Sequence, residues 1–269
     1  MSKRSDRQNF LGPGSESLLG HVKVAIVGLC GGGSHIAQQL AHIGIGRMVL
    51  CDSDYPEASN SNRMIGLTHE HTHGRGLSPS KVEVIRDMVL RINPDIRVIP
   101  ISSAWQEQLD RFKDCQAIFG CVDTYAARSD LERFARRYLI PYIDIGMDVQ
   151  GTPDNYFITG QVILSIPSGP CMICMGFLTE ENLAKEAADY GRAGGRAQVI
   201  WPNGVLASTA VGKFMSLMTS WNHRLTPSLY TQYDGNRELL KEDPRIEALN
   251  LEGVECPHFL LGGSLGDLA

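Results

Sequence analysis

The sequence has no long run of apolar residues and no surplus of basic charge. No apolar stretch approaches the roughly 18 residues that a membrane-spanning helix needs. Residues 1–8 are polar, and no apolar segment of the kind found in secretory signals follows them. These absences predict a protein without a membrane anchor that works in the cytoplasm. The formal net charge of -5 argues against a broad surface for nucleic acids.

The composition favours an α/β protein. The chain has 269 residues, which leaves room for one large or two small domains. A hydrophobic share of 43% and a charged share of 20%, together with 28 glycines, are typical of α/β proteins with many tight turns. Neither an internal repeat nor a low-complexity tract is present, so composition alone marks no domain boundary.

A mononucleotide-binding pattern lies between residues 22 and 63. It consists of a β-branched strand, a glycine-rich turn, a helix and a second strand, at residues 22–27, 28–34, 36–45 and 48–51. Asp52 and Asp54 close the second strand. In such units glycines let backbone amides approach phosphates at a helix N-terminus, and a carboxylate about 20 residues further on meets a ribose hydroxyl. The pattern predicts a nucleotide site in which Cys30 replaces the second glycine of the usual motif.

Strands and helices continue to alternate after this unit. Further strands are predicted at residues 96–101, 116–122, 141–146, 161–166 and 229–233, and helices at 81–92, 131–138, 178–190 and 203–221. This alternation predicts a mostly parallel sheet that helices cover on both faces. Ligands bind such sheets at the carboxyl ends of the strands. Gly28, Asp52 and Asp123 each follow a strand, so we expect them to line one crevice.

Seven cysteines in a cytoplasmic chain favour metal binding or reactivity over disulfides. Three of them lie in or beside apolar strands and are predicted to be buried: Cys51, Cys115 and Cys121. Cys171 and Cys174 form a CxxC pair directly after a predicted strand. The His-rich segment 68–76 is typical of a polar loop, with metal binding as the alternative.

In order and spacing, these residues resemble the ThiF/MoeB/HesA-type adenylyltransferases, which are relatives of ubiquitin-activating enzymes. That family carries a GxGGxGS loop, a DxD strand end, S-N-x-x-R, a helix-opening Lys, a later Asp with Arg five positions on, a CxxC pair and an arm with two arginines. The matching positions are 28–34, Asp52 and Asp54, Asn60 and Arg63, Lys81, Asp123 and Arg128, Cys171 and Cys174, and residues 4–8. A G-V-L element at residues 204–206 also matches, so the resemblance covers nearly the whole chain.

The resemblance implies a fold and a division of the chain. The implied fold class is α/β, a Rossmann-like nucleotide-binding fold with a mostly parallel sheet continued by an antiparallel C-terminal part. Residues 1–269 are expected to form a single adenylation domain. Its parts are an N-terminal arm at 1–20, a nucleotide-binding half at 22–150 and a carrier-binding and dimer half at 151–269.

The resemblance also implies a reaction. Family members use ATP and Mg²⁺ to convert the C-terminal glycine carboxylate of a ubiquitin-like or sulfur-carrier protein to an acyl-adenylate, with release of pyrophosphate. Positioning and charge neutralisation dominate such catalysis. The implied phosphate-holding residues are Asn60, Arg63 and Lys81, and Asp123 is the implied Mg²⁺ ligand. The implied nucleotide-binding residues are Gly28, Gly31, Gly33, Ser34, Asp52 and Asp54, and Arg7 is expected to reach the phosphates of the neighbouring subunit in a homodimer.

The resemblance also implies a zinc site, in which one ligand differs from the four cysteines usual in the family. Family members with a CxxC pair usually carry a second pair near the C-terminus, which gives a closed Cys₄ zinc site. Here Phe259 stands where the fourth cysteine is expected, and His258 lies one residue before it. The implied ligands are therefore Cys171, Cys174, Cys256 and His258, and a remnant site without metal is the alternative.

The sequence offers no cysteine at the place where thioester-forming family members carry one. Residues 176–202 contain none, so the enzyme is expected to stop at the adenylate or to use an outside thiol. Cys30, at a helix N-terminus, is expected to have a lowered pKa and to be reactive, or to be a plain replacement for glycine. Many relatives act beside a conjugating enzyme and a metalloprotease, which makes both candidate partners.

Three other functions compete with carrier adenylation. A dehydratase similar to the tRNA threonylcarbamoyladenosine-cyclising members keeps the fold, but the acidic charge and the CxxC pair lean against it. A nicotinamide-dependent oxidoreductase does not need Asn60, Arg63 and Lys81 around a reacting phosphate. A degenerate, non-catalytic binding module is favoured only by Cys30, whose side chain is expected to crowd the phosphates.

Overall fold

The computed structural model of the chain describes residues 6–74, 78–188, 197–222, 228–252, 256–261 and 267–268. Its helices are α1 (Ser15–His21), α2 (Gly31–Ile43), α3 (His69–His73), α4 (Lys81–Ile92), α5 (Tyr125–Arg137), α6 (Glu180–Ala188), α7 (Ile200–Met218) and α8 (Pro244–Glu252). The strands are β1 (Lys23–Val27), β2 (Arg47–Cys51), β3 (Arg97–Ile101), β4 (Ala117–Gly120), β5 (Tyr142–Thr152), β6 (Asn155–Ser165), β7 (Tyr230–Asp234), β8 (Leu239–Glu242), β9 (Leu260–Leu261) and β10 (Asp267–Leu268). Short 3₁₀ helices lie at Asp6–Leu11, Ala58–Asn60 and Trp105–Arg111. No helix in these ranges combines the length and hydropathy needed to cross a membrane.

The strands β1 to β8 form one sheet in the order β3-β2-β1-β4-β5-β6-β7-β8. The first five strands of the chain pair in parallel, with β1 between β2 and β4. From β5 onward the sheet continues antiparallel through β6, β7 and β8. The parallel part has the strand order of a Rossmann-like sheet, whose switch point lies between β1 and β4. The predicted α/β fold with an antiparallel C-terminal continuation is confirmed.

The central strand and its helices position the carboxyl ends of the strands. Every residue of β1 is buried, as expected for a β-branched strand with both faces covered. On one side α2 packs between α4 and α7, while α5 packs against β4 and β5. Phe134 of α5 meets Trp105 and Phe112 edge-on, with ring centroids 5.4 and 6.3 Å away. These contacts join α5 to the segment between β3 and β4.

The free edge of the sheet at β3 is closed to further strand pairing. The amide of Arg97 donates to Gly46 and the carbonyl of Ile101 accepts from Asp52, so these residues direct their backbone groups toward β2. Because backbone groups alternate along a strand, Val98 and Pro100 direct theirs toward the free edge. Proline has no amide hydrogen to offer, and proline on an edge strand is a known obstacle to pairing.

Several elements differ from the sequence-based expectations. The predicted loop at 68–76 contains the short helix α3, whose first turn is stabilised by a reciprocal cap between Thr68 and His71. The arm predicted at 1–20 contains a 3₁₀ helix and α1 in its described part. The β5–β6 hairpin is longer than predicted, and β8 and α8 were not predicted at all. Parts of the predicted helix 178–190 and of the arm lie outside the described residues.

The N-terminal cap of α4 generates a stability prediction. The Ser80 hydroxyl accepts from the Glu83 amide at 3.3 Å, and the Glu83 carboxylate accepts from the Ser80 amide at 2.8 Å. Ser80→Ala removes half of this reciprocal cap, and we expect a loss of about 1 kcal/mol in the free energy of unfolding, measured by urea titration. Ser17→Ala is the control, because the exposed Ser17 hydroxyl of α1 makes no hydrogen bond with another described residue. Equal losses in both variants would contradict the capping role.

Candidate active site

The loop after β1 is shaped by glycines that leave no room for side chains. Gly28 has a φ of +88°, and a Cβ there would lie 2.3 Å from the Cys121 carbonyl oxygen. A Cβ on Gly33 would lie 1.8 Å from the carbonyl oxygen of Gly28, so the turn closes directly onto the first turn of α2. Gly31 opens α2 with its Cα facing Asn203 of α7. The close packing presents the N-terminus of α2 at the end of β1, as phosphate-binding loops require.

Ser34 is used inside the protein. Its side chain is fully buried, and its hydroxyl donates to the Gly31 carbonyl at 2.9 Å and accepts from the Ile65 amide at 3.0 Å. Ser34 therefore ties the first turn of α2 to the chain just after Arg63. Both of these hydrogen bonds are made within the protein, so the Ser34 hydroxyl is already engaged.

Asp52 links the loop after β1 (residues 28–34, here called the phosphate loop) to Lys81, the first residue of α4. Its carboxylate accepts from the Leu29 amide at 2.7 Å and from the Asp54 amide at 2.9 Å. The Lys81 ammonium lies 2.8 Å from Asp54 Oδ2 and 3.8 Å from Asp52 Oδ1. Three predicted residues, from two separate segments, thus meet at one strand end.

Burial and neighbouring charges act against each other on the pKa values of Asp52 and Lys81. Burial raises the pKa of Asp52, while Lys81 and the two amide donors counteract that rise. Burial would lower the pKa of Lys81, but the carboxylates of Asp52 and Asp54 outweigh it, and the pKa of Lys81 is raised. Lys81 therefore remains a cation at neutral pH, which is the state that a phosphate site needs.

Arg63 lies in a short, hydrogen-bonded loop after Asp54. Asn60 is buried there, and its side-chain oxygen accepts from the Glu57 amide at 3.0 Å. Arg63 Nη1 donates to the carbonyl of Ser59 at 2.7 Å and to the side chain of Asn62 at 3.1 Å. Its Nε is buried without a hydrogen-bond partner in the described part of the chain. An orphaned guanidinium nitrogen beside a phosphate loop fits an anionic ligand.

Cys30 stands among these cations, yet it is not an activated thiol. The expected lowering of its pKa is wrong: burial raises the pKa of Cys30, and the opposing effects of Arg63 and Lys81 are smaller. Cys51 and Cys115 are buried as predicted, whereas Cys121 is half-buried against the core. Burial also raises the pKa of Cys51 to about 12, so this thiol is inert as well.

Asp123 and Arg128 have opposite surroundings. Asp123 is exposed in the loop between β4 and α5, and no hydrogen bond or ion pair with another described residue engages its carboxylate. The loop lies beside the phosphate loop, because the Cys121 amide donates to Val27 at 2.8 Å. Arg128 instead points into the protein, where it pairs with the fully buried Asp144 and donates to Ile145 at 3.2 Å.

Two acidic residues at this side of the site were missed by the sequence reasoning. Asp144 accepts from the Tyr142 hydroxyl at 3.0 Å besides pairing with Arg128, and an acidic residue inside an apolar strand was the signal for it. Burial raises the pKa of Asp144, against the effect of Arg128. Glu186 of α6 binds the first turn of α5 through its carboxylate, and no local pattern indicates that contact.

Arg7 is not brought to the crevice within one chain. It lies exposed on the 3₁₀ helix Asp6–Leu11, and it forms no hydrogen bond or ion pair with another described residue. The residues that the structure does bring together follow β1, β2 and β4 or open α4: Gly28, Gly31, Gly33, Ser34, Asp52, Asp54, Asn60, Arg63, Lys81 and Asp123.

The four predicted zinc ligands form a compact cluster. All of their ligand atoms lie within 4.8 Å of one another. The sulfur of Cys174 lies 3.7 Å from that of Cys171 and 3.6 Å from that of Cys256. His258 Nδ1 lies 3.3 Å from the Cys174 sulfur and 3.5 Å from the Cys171 sulfur. Tetrahedral zinc with its usual bond lengths separates two sulfurs by about 3.8 Å, and sulfur from nitrogen by about 3.6 Å. The donor set is therefore compatible with zinc.

The ThiF family model matches residues 4–253 of the chain. The protein belongs to the ThiF family. The resemblance seen in the sequence is thereby confirmed over nearly its whole length.

Individual ThiF-family relatives match shorter parts of the chain. The molybdopterin-synthase adenylyltransferase of Escherichia coli strain K12 is 30% identical over 164 residues, which are 60% of this chain and 61% of the relative. The SAMP-activating enzyme E1 of Haloferax volcanii is 28% identical over 169 residues, 61% of this chain and 57% of the relative. Ubiquitin-like modifier-activating enzyme 5 of Caenorhabditis elegans is 32% identical over 118 residues, 39% of this chain and 27% of the relative. The chain thus spans less than two thirds of the length of each.

Solved structures share the fold over a larger part of the chain. The crystal structure of E. coli MccB with ATP superimposes on this chain with a TM-score of 0.72 at 20% sequence identity. The superposition covers 90% of this chain and 71% of the MccB chain. The crystal structure of PaaA superimposes with a TM-score of 0.66 at 19% sequence identity, and covers 85% of this chain and 74% of the PaaA chain. Both likenesses support the Rossmann-like architecture described above.

The surroundings of Cys30 generate a prediction on its pH-dependent reactivity. The Arg63 charge lowers the pKa of the Cys30 thiol, so Arg63→Gln should raise that pKa. The curve of iodoacetamide labelling rate against pH should then shift to higher pH. At a fixed pH below the pKa, about threefold slower labelling is expected, measured by mass spectrometry of the tryptic peptide 24–47. Arg86→Gln, a change at a half-buried arginine of α4 that pairs with Asp87, is the matched control. If the curve is the same in Arg63→Gln and wild type, Arg63 does not lower the pKa of the Cys30 thiol.

Proposed function

We propose that this chain is an adenylyltransferase that activates the C-terminal glycine carboxylate of a ubiquitin-like or sulfur-carrier protein with ATP. The observation that carries the proposal is the pair of cations, Arg63 and Lys81, beside the N-terminus of α2 at the end of β1. A nucleotide site for binding alone does not need two cations around its phosphates. Relatives named as adenylyltransferase and as activating enzyme support the same chemistry.

The reaction joins a carboxylate to the α-phosphorus of ATP and releases pyrophosphate. Both reactants are anions, so the barrier falls when fixed cations neutralise the charge that builds on the phosphate oxygens. Lys81 and Arg63 are placed to do this, and Asn60 fixes the loop that carries Arg63. Asp52 and Asp54 would meet the ribose, because a carboxylate at the end of the second strand does so in mononucleotide-binding units. Gly28, Gly31 and Gly33 allow the backbone to approach the phosphates.

Mg²⁺ belongs to the proposal through Asp123. An exposed carboxylate that makes no hydrogen bond or ion pair with a described residue, next to the phosphate loop, fits a hard cation such as Mg²⁺. Asp123 would hold this ion, which would supply charge neutralisation at the transferring phosphate.

The proposal includes an assembly and a division of labour along the chain. Arg7 would reach the phosphates of a neighbouring subunit, which makes the active unit a homodimer. Residues 22–150 would bind the nucleotide, and residues 151–269 would bind the carrier and the second subunit. A conjugating enzyme and a metalloprotease remain proposed partners. We place the protein in the cytoplasm, since none of its seven cysteines, all within the described residues, forms a disulfide.

The acyl-adenylate is the proposed end product on this chain. Residues 176–202 carry no cysteine, and Cys30 is half-buried with a raised pKa. An outside thiol or amine would therefore accept the activated carboxylate. A dehydratase acting on tRNA and a non-catalytic nucleotide-binding module are the alternatives that the same crevice accommodates.

Zinc is proposed as a structural ion. Cys171, Cys174, Cys256 and His258 supply a closed Cys₃His set, in which His258 would bind through Nδ1. A closed set with four protein ligands leaves no position for substrate, so the site would stabilise the fold and not take part in catalysis.

Pyrophosphate exchange tests the proposed reaction. Purified protein with ATP, Mg²⁺ and candidate carriers ending in Gly-Gly should exchange pyrophosphate only when a suitable carrier is present. Asp123→Asn should reduce the rate at least about 100-fold, because the Mg²⁺ position at the transferring phosphate is lost. Asp130→Asn, an exposed carboxylate on α5, should leave the rate unchanged.

Two results would overturn this assignment. Equal rates in Asp123→Asn and wild type would remove Asp123 from the metal role. ATP binding without exchange, whatever carrier is added, would favour the dehydratase or the non-catalytic module.

Zinc content tests the Cys₃His site. Wild-type protein should carry about one zinc ion per chain by elemental analysis, and Cys256→Ser should lose most of it together with thermal stability. Cys30→Ser, a change of the same kind outside the cluster, should keep the zinc. Wild-type protein without zinc, or with zinc that survives Cys256→Ser, would favour a remnant site.

A further inference from the structure

The carboxylate of Glu186 caps α5 from outside that helix. Glu186 Oε1 accepts from the Tyr125 amide at 2.8 Å, and Oε2 accepts from the Ala126 amide at 3.0 Å. The helix caps itself only at the next residue, where the Thr124 hydroxyl accepts from the Ala127 amide at 3.2 Å. The first amides of a helix have no partner within the helix, and Glu186 satisfies the two amides of this turn that the Thr124 hydroxyl does not reach.

The position of Asp123 depends on the same turn. The residue lies in the short loop from β4 to α5, and the loop is held at its strand end by the Cys121 amide, which donates to Val27 at 2.8 Å. At its other end the loop runs through Thr124 directly into the turn that Glu186 caps. Asp123 makes no polar contact of its own with a described residue. Its placement is therefore set by these two attachments.

Glu186 is also the polar attachment of α6 to the rest of the protein. Within the described residues, the other side-chain hydrogen bonds of α6 are local: Asn182 bonds to Phe177 and Thr179, and Lys185 pairs with Glu181. Just before α6, the Phe177 ring packs against the Tyr125 ring at an interplanar angle of 49°, with 5.4 Å between the centroids. The described polar contact between α6 and α5 is the bidentate carboxylate of Glu186.

We propose that Glu186 is a positioning residue for the Asp123 carboxylate and that it couples the docking of α6 to the metal side of the active site. The proposal rests on the proposed adenylation reaction for its kinetic consequence, but the coupling itself is a property of the fold. When α6 is docked, the first turn of α5 is ordered and Asp123 is held beside the phosphate loop. When the cap is lost, the turn frays and Asp123 loses its fixed position.

Amide hydrogen exchange measured by NMR tests the coupling without any activity. Glu186→Gln removes the charge and one acceptor while keeping the size of the side chain. We expect exchange of the Tyr125 and Ala126 amides to become about tenfold faster. Glu181→Gln is the matched control, because Glu181 lies on the same helix and only pairs with Lys185. Unchanged exchange at Tyr125 and Ala126 in Glu186→Gln would overturn the proposal.

Binding of Mn²⁺, a paramagnetic substitute for Mg²⁺, tests the consequence at Asp123. With ATP present, the Mn²⁺ concentration that broadens the Asp123 amide signal should rise about fivefold in Glu186→Gln and stay unchanged in Glu181→Gln. In pyrophosphate exchange, kcat should fall about tenfold while the KM for ATP stays within about twofold. Faster amide exchange with unchanged Mn²⁺ broadening would overturn the positioning role. If wild-type protein shows no exchange of pyrophosphate, the proposed function fails, while hydrogen exchange of the Tyr125 and Ala126 amides still decides whether Glu186 orders this turn.

Discussion

The crevice depends on a single buried carboxylate. Asp52 accepts the Leu29 amide of the phosphate loop and attracts the Lys81 ammonium of α4, so it joins segments that are far apart in the chain. These segments meet only because β1 and β2 pair in parallel and in register. A buried anion is costly unless donors face it, and two amides and one ammonium do so here. The shape of the phosphate loop and the charge of Lys81 are therefore parts of one electrostatic unit.

Local patterns predicted the parallel half of the fold well, because its elements follow from short-range signals. A β-branched run marks β1, and apolar residues at helical spacing within residues 81–92 mark α4. The antiparallel extension was predicted less completely. The strand β8 is exposed along its whole length, so its conformation comes from pairing with β7 and not from its own residues. Such pairing is a tertiary effect that periodicity does not contain.

The site was predictable to the extent that it follows from strand ends. Asp52 and Asp123 come directly after buried strands, and the sheet order brings them to one crevice. The surroundings of each side chain were less accessible to sequence reasoning. Cys30 at a helix N-terminus suggested an activated thiol, but burial is the larger effect and only the packed structure reveals it. Arg128 points inward and pairs with Asp144. Glu186 accepts a hydrogen bond from Ala126, a residue 60 positions earlier in the sequence.

The Cys/His cluster also has a consequence for the unfolded chain. Cys174 and Cys256 lie 82 positions apart, and α6, α7, β7, β8 and α8 all lie between them. With zinc bound as proposed, four side chains close this length into a loop. Closing a loop removes more conformational freedom from a disordered chain than from a folded one. The cross-link would then stabilise the antiparallel extension by lowering the conformational entropy of the unfolded chain. This contribution is separate from the contacts within the folded sheet.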